Sequence, residues 1–208
     1  MSFKSTLLIA AASAAFALPG AASAADIASA TMALNIRSGP GPQYEIVGAI
    51  PARGRAAIVG CIQGSLWCQV SYNGQRGWAY SQYLTAQLSG RSLIVTEHLA
   101  GIPPVTYAAP VETVGSAVPV PVITGALVEP PAVSAPLVIA PPPDTVRSYV
   151  VSHPVAPVYL NGEVVEGAGL PPNVALAPVP GYQYQYAYVN RAPVLAEPRT
   201  RQVEYVYR

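Results

Sequence analysis

Between Thr31 and Leu88 the apolar positions fall in short runs, each closed by Gly, Pro, Asn or a charged residue. ALNIR, YEIVGAI, RAAIVGC, LWCQVSY and QRGWAY each read as an extended segment. SGPGP separates the first two. It cannot continue a helix or a central strand, because proline fixes φ and carries no N–H. Pro51-Ala52-Arg53-Gly54 turns the chain again, and Ile62 to Ser65 form a loop. Asn73-Gly74 is a strong two-residue hairpin signal, since both central positions of such a turn want positive φ. Five short strands with no helical period predict a small barrel over residues 31–86.

From residue 99 to 157 this pattern dissolves. Thirteen of the 23 prolines lie here, interleaved with Val and Ala in VPVPV and EPPAVSAPLVIAPPPD. Proline removes donors throughout, so the stretch predicts a disordered linker of polyproline II character. A tether is the preferred role, and a Pro-rich segment reaching its own barrel is a subsidiary one. Order returns at 158–208. VYLNGEVV predicts a hairpin around Asn161-Gly162. GYQYQYAYVN alternates, with Tyr182, Tyr184, Tyr186 and Tyr188 on one face and Gln183, Gln185, Ala187 and Val189 on the other. With Asn190-Arg191, APVLAEPRTR and QVEYVYR it predicts a small antiparallel three-strand meander. A tyrosine row suits stacking on sugars or peptides, and equally suits packing a sheet that has few aliphatics. The fold class expected is mainly β: a small SH3-like barrel, a long Pro/Val/Ala-rich linker and a C-terminal β-meander.

Residues 1–24 stand apart. Lys4, the uncharged run from Leu7 to Leu18, the Pro19-Gly20 break and Ala22-Ser23-Ala24 form a secretory signal peptide pattern, with cleavage expected after Ala24. The run falls short of the about 20 apolar residues of a spanning helix. No Cys follows it to take a lipid anchor. The mature chain is therefore expected to be periplasmic or secreted, with no membrane span after cleavage. Without Lys4, ten Arg face ten Asp plus Glu. That near-neutral balance gives no support for nucleic acid as a partner. The stretch 31–88 is basic by three, with Arg37, Arg53, Arg55 and Arg76 against Glu45.

Cys61 and Cys68 are the two cysteines. In an oxidising compartment a close pair of this kind forms a disulfide, and two ligands with no His nearby cannot fill a tetrahedral zinc site. Closing so short a loop is worth about 2.5 kcal/mol. No metal site and no cofactor are expected. Catalytic parts are scarce as well. His98 and His153 lie outside the folded modules, and the barrel has one carboxylate, Glu45. Sugar hydrolysis needs two carboxylates across a cleft. Glu163, Glu166, Glu197 and Glu204 sit in turns or at alternating surface positions. A phosphate cradle at Ser38–Pro42 is excluded, because Pro40 and Pro42 remove two donors and a strand follows. An enzyme is not expected.

LNIRSGPGPQYEIVGAI and LWCQVSYNGQRGWAYSQYL resemble the opening "LNVRSGPGTxYxVIG" and the finish "WxxVxxxGxxGWVxxxYL" of the bacterial SH3 (SH3b) family. The resemblance covers about a quarter of the chain. It implies a compact β-barrel that binds cell-wall peptidoglycan or other proteins. VNRAPVLAEPRTRQVEYVYR is similar to the ending "vngrpVLVDPRTRRIVYVI" of the domain of unknown function 1236 family, with Glu197 where Asp is usual. That family implies a module boundary and no chemistry. The candidate ligand-binding residues are Tyr44, Trp67, Trp78, Tyr80 and Tyr83, with Arg37 as a charged rim; Trp67 and Trp78 fall at fold-defining positions of the family, which gives them a core role as the alternative. The function expected is that of an exported, non-catalytic protein binding peptidoglycan or a wall-associated partner. The alternative is a periplasmic scaffold recognising an extended peptide or protein.

Overall fold

The structure, a computed structural model, describes residues 26–88, 91–108, 122–130 and 140–208. The expected signal peptide lies outside the described residues. No helix among them is long and apolar enough to cross a membrane.

All five strands read from the apolar runs are present. They are preceded by one further strand and followed by two: β1 (Asp26–Ala30), β2 (Leu34–Arg37), β3 (Ile46–Ile50), β4 (Arg55–Cys61), β5 (Trp67–Tyr72), β6 (Gln75–Tyr80), β7 (Leu84–Leu88) and β8 (Arg91–Ile94). They form one sheet in the order β3-β2-β6-β5-β4-β1-β7-β8, and every pairing is antiparallel. Asn73 and Gly74 hold φ of 48° and 81° between the paired Tyr72 and Gln75. That is the two-residue turn their identities predict. Cys61 and Cys68 face each other across β4 and β5 and are disulfide-bonded. Leu34, Ile36, Ile50, Ile58, Val70 and Leu84 point inward and are buried.

The segment expected to be a structureless tether is different in its described parts. It contributes a strand, β9 (Ile123–Ala126), and a helix, α1 (Asp144–Ser152). Pro143 precedes the helix and Asp144 opens its first turn, where a carboxylate favours the N-terminal dipole. The hairpin expected at Asn161-Gly162 is not formed. Instead β10 (Tyr159–Asn161) pairs in parallel with β9, and the chain turns at Gly162 into the buried Val164 and Val165.

The C-terminal sheet has four strands where three were expected: β11 (Ala177–Pro178), β12 (Gln185–Val189), β13 (Ala192–Ala196) and β14 (Val203–Val206), antiparallel in that order. Both of its faces are covered. Ala187, Val189, Val194, Ala196 and Val203 join one continuous hydrophobic core with the barrel. On the other face Tyr186, Leu195 and Tyr207 pack under Val146 and Val150 of α1. Tyr186 Oη donates to the His153 carbonyl at 2.7 Å, and Tyr188 Oη donates to the Val150 carbonyl at 3.1 Å. The tyrosine row therefore packs and pins a helix.

Candidate functional site

The Gly-Pro-Gly-Pro turn joins β2 to β3, and its geometry is organised by Arg37 at the end of β2. The Arg37 side chain is 0% exposed. Its Nε donates to Glu163 Oε2 at 2.9 Å and its Nη2 to Glu163 Oε1 at 3.1 Å, a forked pairing of the kind guanidinium and carboxylate make best. Its Nη1 lies 3.1, 3.0 and 3.0 Å from the carbonyls of Pro42, Tyr44 and Asn190. Arg37 is thus no charged rim. It closes its own turn and anchors a carboxylate 126 residues away.

Glu163 is held for this purpose from its own side. Asn35 Nδ2 donates to Glu163 Oε1 at 2.8 Å. Asn190, at φ 50° in the turn between β12 and β13, accepts from Leu160 N–H at 2.8 Å and donates to the Gly162 carbonyl at 3.0 Å. This fixes the loop that presents Glu163. Arg191 beside it reaches the Gln43 carbonyl at 2.8 Å. Arg208 bridges Glu166 at 2.7 Å and the Ala33 carbonyl at 2.7 Å. Each of these cations ties the C-terminal part to the barrel.

The aromatic candidates are also drawn inward. Trp67, Trp78, Tyr80 and Tyr83 are buried, and Tyr44 is half-buried. Trp67 meets Tyr80 edge-on with ring centroids 5.5 Å apart. Tyr107, which follows the barrel, sits edge-on to both Tyr44 at 5.6 Å and Trp78 at 5.5 Å. Tyr83 Oη donates to the Pro130 carbonyl at 3.4 Å, and the Tyr80 hydroxyl lies near the Glu129 carboxylate. Burial, then the nearby Glu129, pushes the Tyr80 and Tyr83 phenols far above the usual tyrosine range. Burial also raises the Glu129 carboxyl; the nearby Tyr80 hydroxyl opposes the rise and the charge of Glu163 adds to it. Segments read as linker therefore cover the aromatic set at two places.

Reasoning from sequence did not find Glu163, Asn35, Asn190, Tyr107 or Glu129. A usable signal existed for Glu163, an acid set between Leu160 and the Val164-Val165 pair. Among the described residues no group of three His, Cys, Asp or Glu side chains is placed to hold a metal ion. His153 is engaged locally, stacked on Tyr149 with centroids 4.2 Å apart.

Family models match two parts of the chain: bacterial SH3 domain over residues 33–85, and domain of unknown function (DUF1236) over residues 149–208. The chain thus carries both domains. A protein of Bacillus subtilis named "Putative N-acetylmuramoyl-L-alanine amidase YrvJ" is similar, with 38% identity over 53 residues. The match covers 26% of this chain, and the chain spans only about a tenth of that protein's length, 10%. No solved structure matches significantly.

Proposed function

We propose that this is an exported, non-catalytic binding protein whose barrel engages cell-wall peptidoglycan or a wall-associated partner. The observation that carries the reading is the bacterial SH3 domain, shared at 38% identity with part of a protein named for N-acetylmuramoyl-L-alanine chemistry. Export is supported by the signal peptide pattern and by the disulfide.

The absence of catalysis is supported by how the buried carboxylate is used. Glu163 is committed to Arg37 and Asn35, so it is not free to flank a scissile bond. Binding falls to the exposed barrel surface. Arg53, Arg55 and Arg76 are exposed there and suit an anionic polymer, and half-buried Tyr44 is the accessible aromatic of the expected set.

The test is co-sedimentation of the full disulfide-bonded chain with purified sacculi. Retention at low salt, falling as salt rises and weakened in an Arg53→Gln/Arg55→Gln/Arg76→Gln variant, is the expected result. A folded chain that stays in the supernatant at low salt refutes wall binding.

A further inference from the structure

Among the described residues, β4 pairs with β1 as far as Ile58, opposite Asp26. The last turn of that edge, at Cys61, is taken by a different segment. Cys61 N–H donates to the Pro103 carbonyl at 3.0 Å, and Val105 N–H donates to the Cys61 carbonyl at 3.0 Å, as in a short parallel pairing. The backbones come so close that a Cβ on Gly60 would lie 2.6 Å from the Pro103 carbonyl oxygen and closer still to Val105. Two residues on, the Tyr107 ring enters the cleft between Tyr44 and Trp78 and meets both edge-on.

These are the parts of a peptide site. An open strand edge supplies two backbone hydrogen bonds, a glycine admits the ligand backbone, and an aromatic cleft reads one side chain. The segment in it, Pro-Pro-Val-Thr-Tyr, holds itself extended because proline restricts both its own φ and the residue before it.

We propose that the Cys61 edge and the Tyr44–Trp78 cleft form a binding site for extended, proline-containing peptides that carry an aromatic residue two positions after the one whose N–H donates to the Cys61 carbonyl, and that Pro103–Tyr107 is its resident occupant in cis. The pairing with Cys61 sets the register. The aromatic cleft supplies selectivity, and a partner segment of the same pattern gains access by displacing the resident one. Peptide capture at this site does not depend on sacculus binding.

The test uses a fluorescently labelled peptide of residues 101–108 and the full chain, read by anisotropy. A resident segment competes at a local concentration of the order of millimolar, so a variant that vacates the site is expected to bind the peptide about tenfold more tightly than wild type. Tyr107→Ala empties the cleft, and Val105→Pro removes the N–H that pairs with Cys61. Either variant should show the gain, and adding Gly60→Val should abolish it. A labelled peptide with Ala in place of its tyrosine should not bind. Equal affinity for wild type and both variants overturns self-occupancy, and no binding to a folded variant overturns the site. Loss of folding in both variants also overturns the proposal, since the segment would then be a fixed wall of the core.

Discussion

At the scale of single residues, the decisive feature is a guanidinium and a carboxylate paired in the interior, both 0% exposed. Arg37 and Glu163 are both fully buried; the guanidinium donates to Glu163 and to three backbone carbonyls, and the carboxylate also accepts from Asn35. Desolvating such a pair costs heavily, so it adds little net stability over an apolar pair of similar shape. Removing one member is different, because it strands a buried charge. Arg37→Met alone and Glu163→Leu alone should each destabilise the chain by about 3–5 kcal/mol, while the double variant should recover much of that loss. Urea unfolding of all four forms measures the coupling, and additive losses would show that the pair is not acting as a unit. Arg37→Lys should behave like a loss variant, because a point charge cannot make the fork to Glu163 and the contacts to three carbonyls together.

At the scale of elements, helix α1 depends on the tyrosine face beneath it. Its sequence, DTVRSYVVS, is rich in β-branched residues that weakly favour helix. Val146 and Val150, one turn apart, find a buried place against Tyr186, Leu195 and Tyr207. Burial, with Tyr182 and Tyr205 adjacent, pushes the Tyr207 phenol up to about 12. The folded state therefore favours the neutral phenol. The stability tied to this group is intact below pH 10 and is lost as pH rises from 10 towards 12. An alkaline titration followed by phenolate absorbance and circular dichroism should show late ionisation coupled to loss of structure. Tyr207→Phe should blunt that loss at little cost near neutrality, because the Tyr207 hydroxyl has no hydrogen-bond partner among the described residues. An unchanged alkaline limb in the variant would assign the effect to the other tyrosines.

The elements also show what could be read from sequence and what could not. β4 and β6 have the bounds that RAAIVGC and QRGWAY suggest, because local alternation and adjacent turn residues define them. β1 escaped notice because Asp26–Ala30 offers small side chains. Ala28 is buried beside its cross-strand partners Ala56 and Ala86, a core position that no large apolar residue announces. β9 and α1 were hidden by the prolines around them, since their order comes from partners distant in the chain. Arg37 looked like a surface cation for the same reason. Nothing near it in sequence announces a buried acid 126 positions away.

At the scale of the whole molecule, the two family matches do not correspond to two separate bodies. One continuous core runs from Ile36 and Trp78 of the barrel to Val164, Val194 and Val203 of the C-terminal part. Three arginines, Arg37, Arg191 and Arg208, bridge the same boundary. The chain should accordingly unfold in a single cooperative transition, with intrinsic tryptophan fluorescence (both tryptophans lie in the barrel) and far-ultraviolet circular dichroism reporting one midpoint. A fragment ending at residue 108 should be far less stable than the full chain, since Arg37 and Asn35 lose their acceptor. Two resolved transitions in the intact chain would mean that the shared core is not cooperative.

The distance in sequence between Arg37 and Glu163 also has a consequence in time. Ribosomes make the cation first, and the 126 residues that follow take on the order of ten seconds to synthesise. Throughout that interval the barrel cannot close without sealing in an uncompensated charge. Its completion waits for the acid, and then for Asn190 to arrive and brace it. A late-arriving counter-ion of this kind delays completion of the barrel until most of the chain exists.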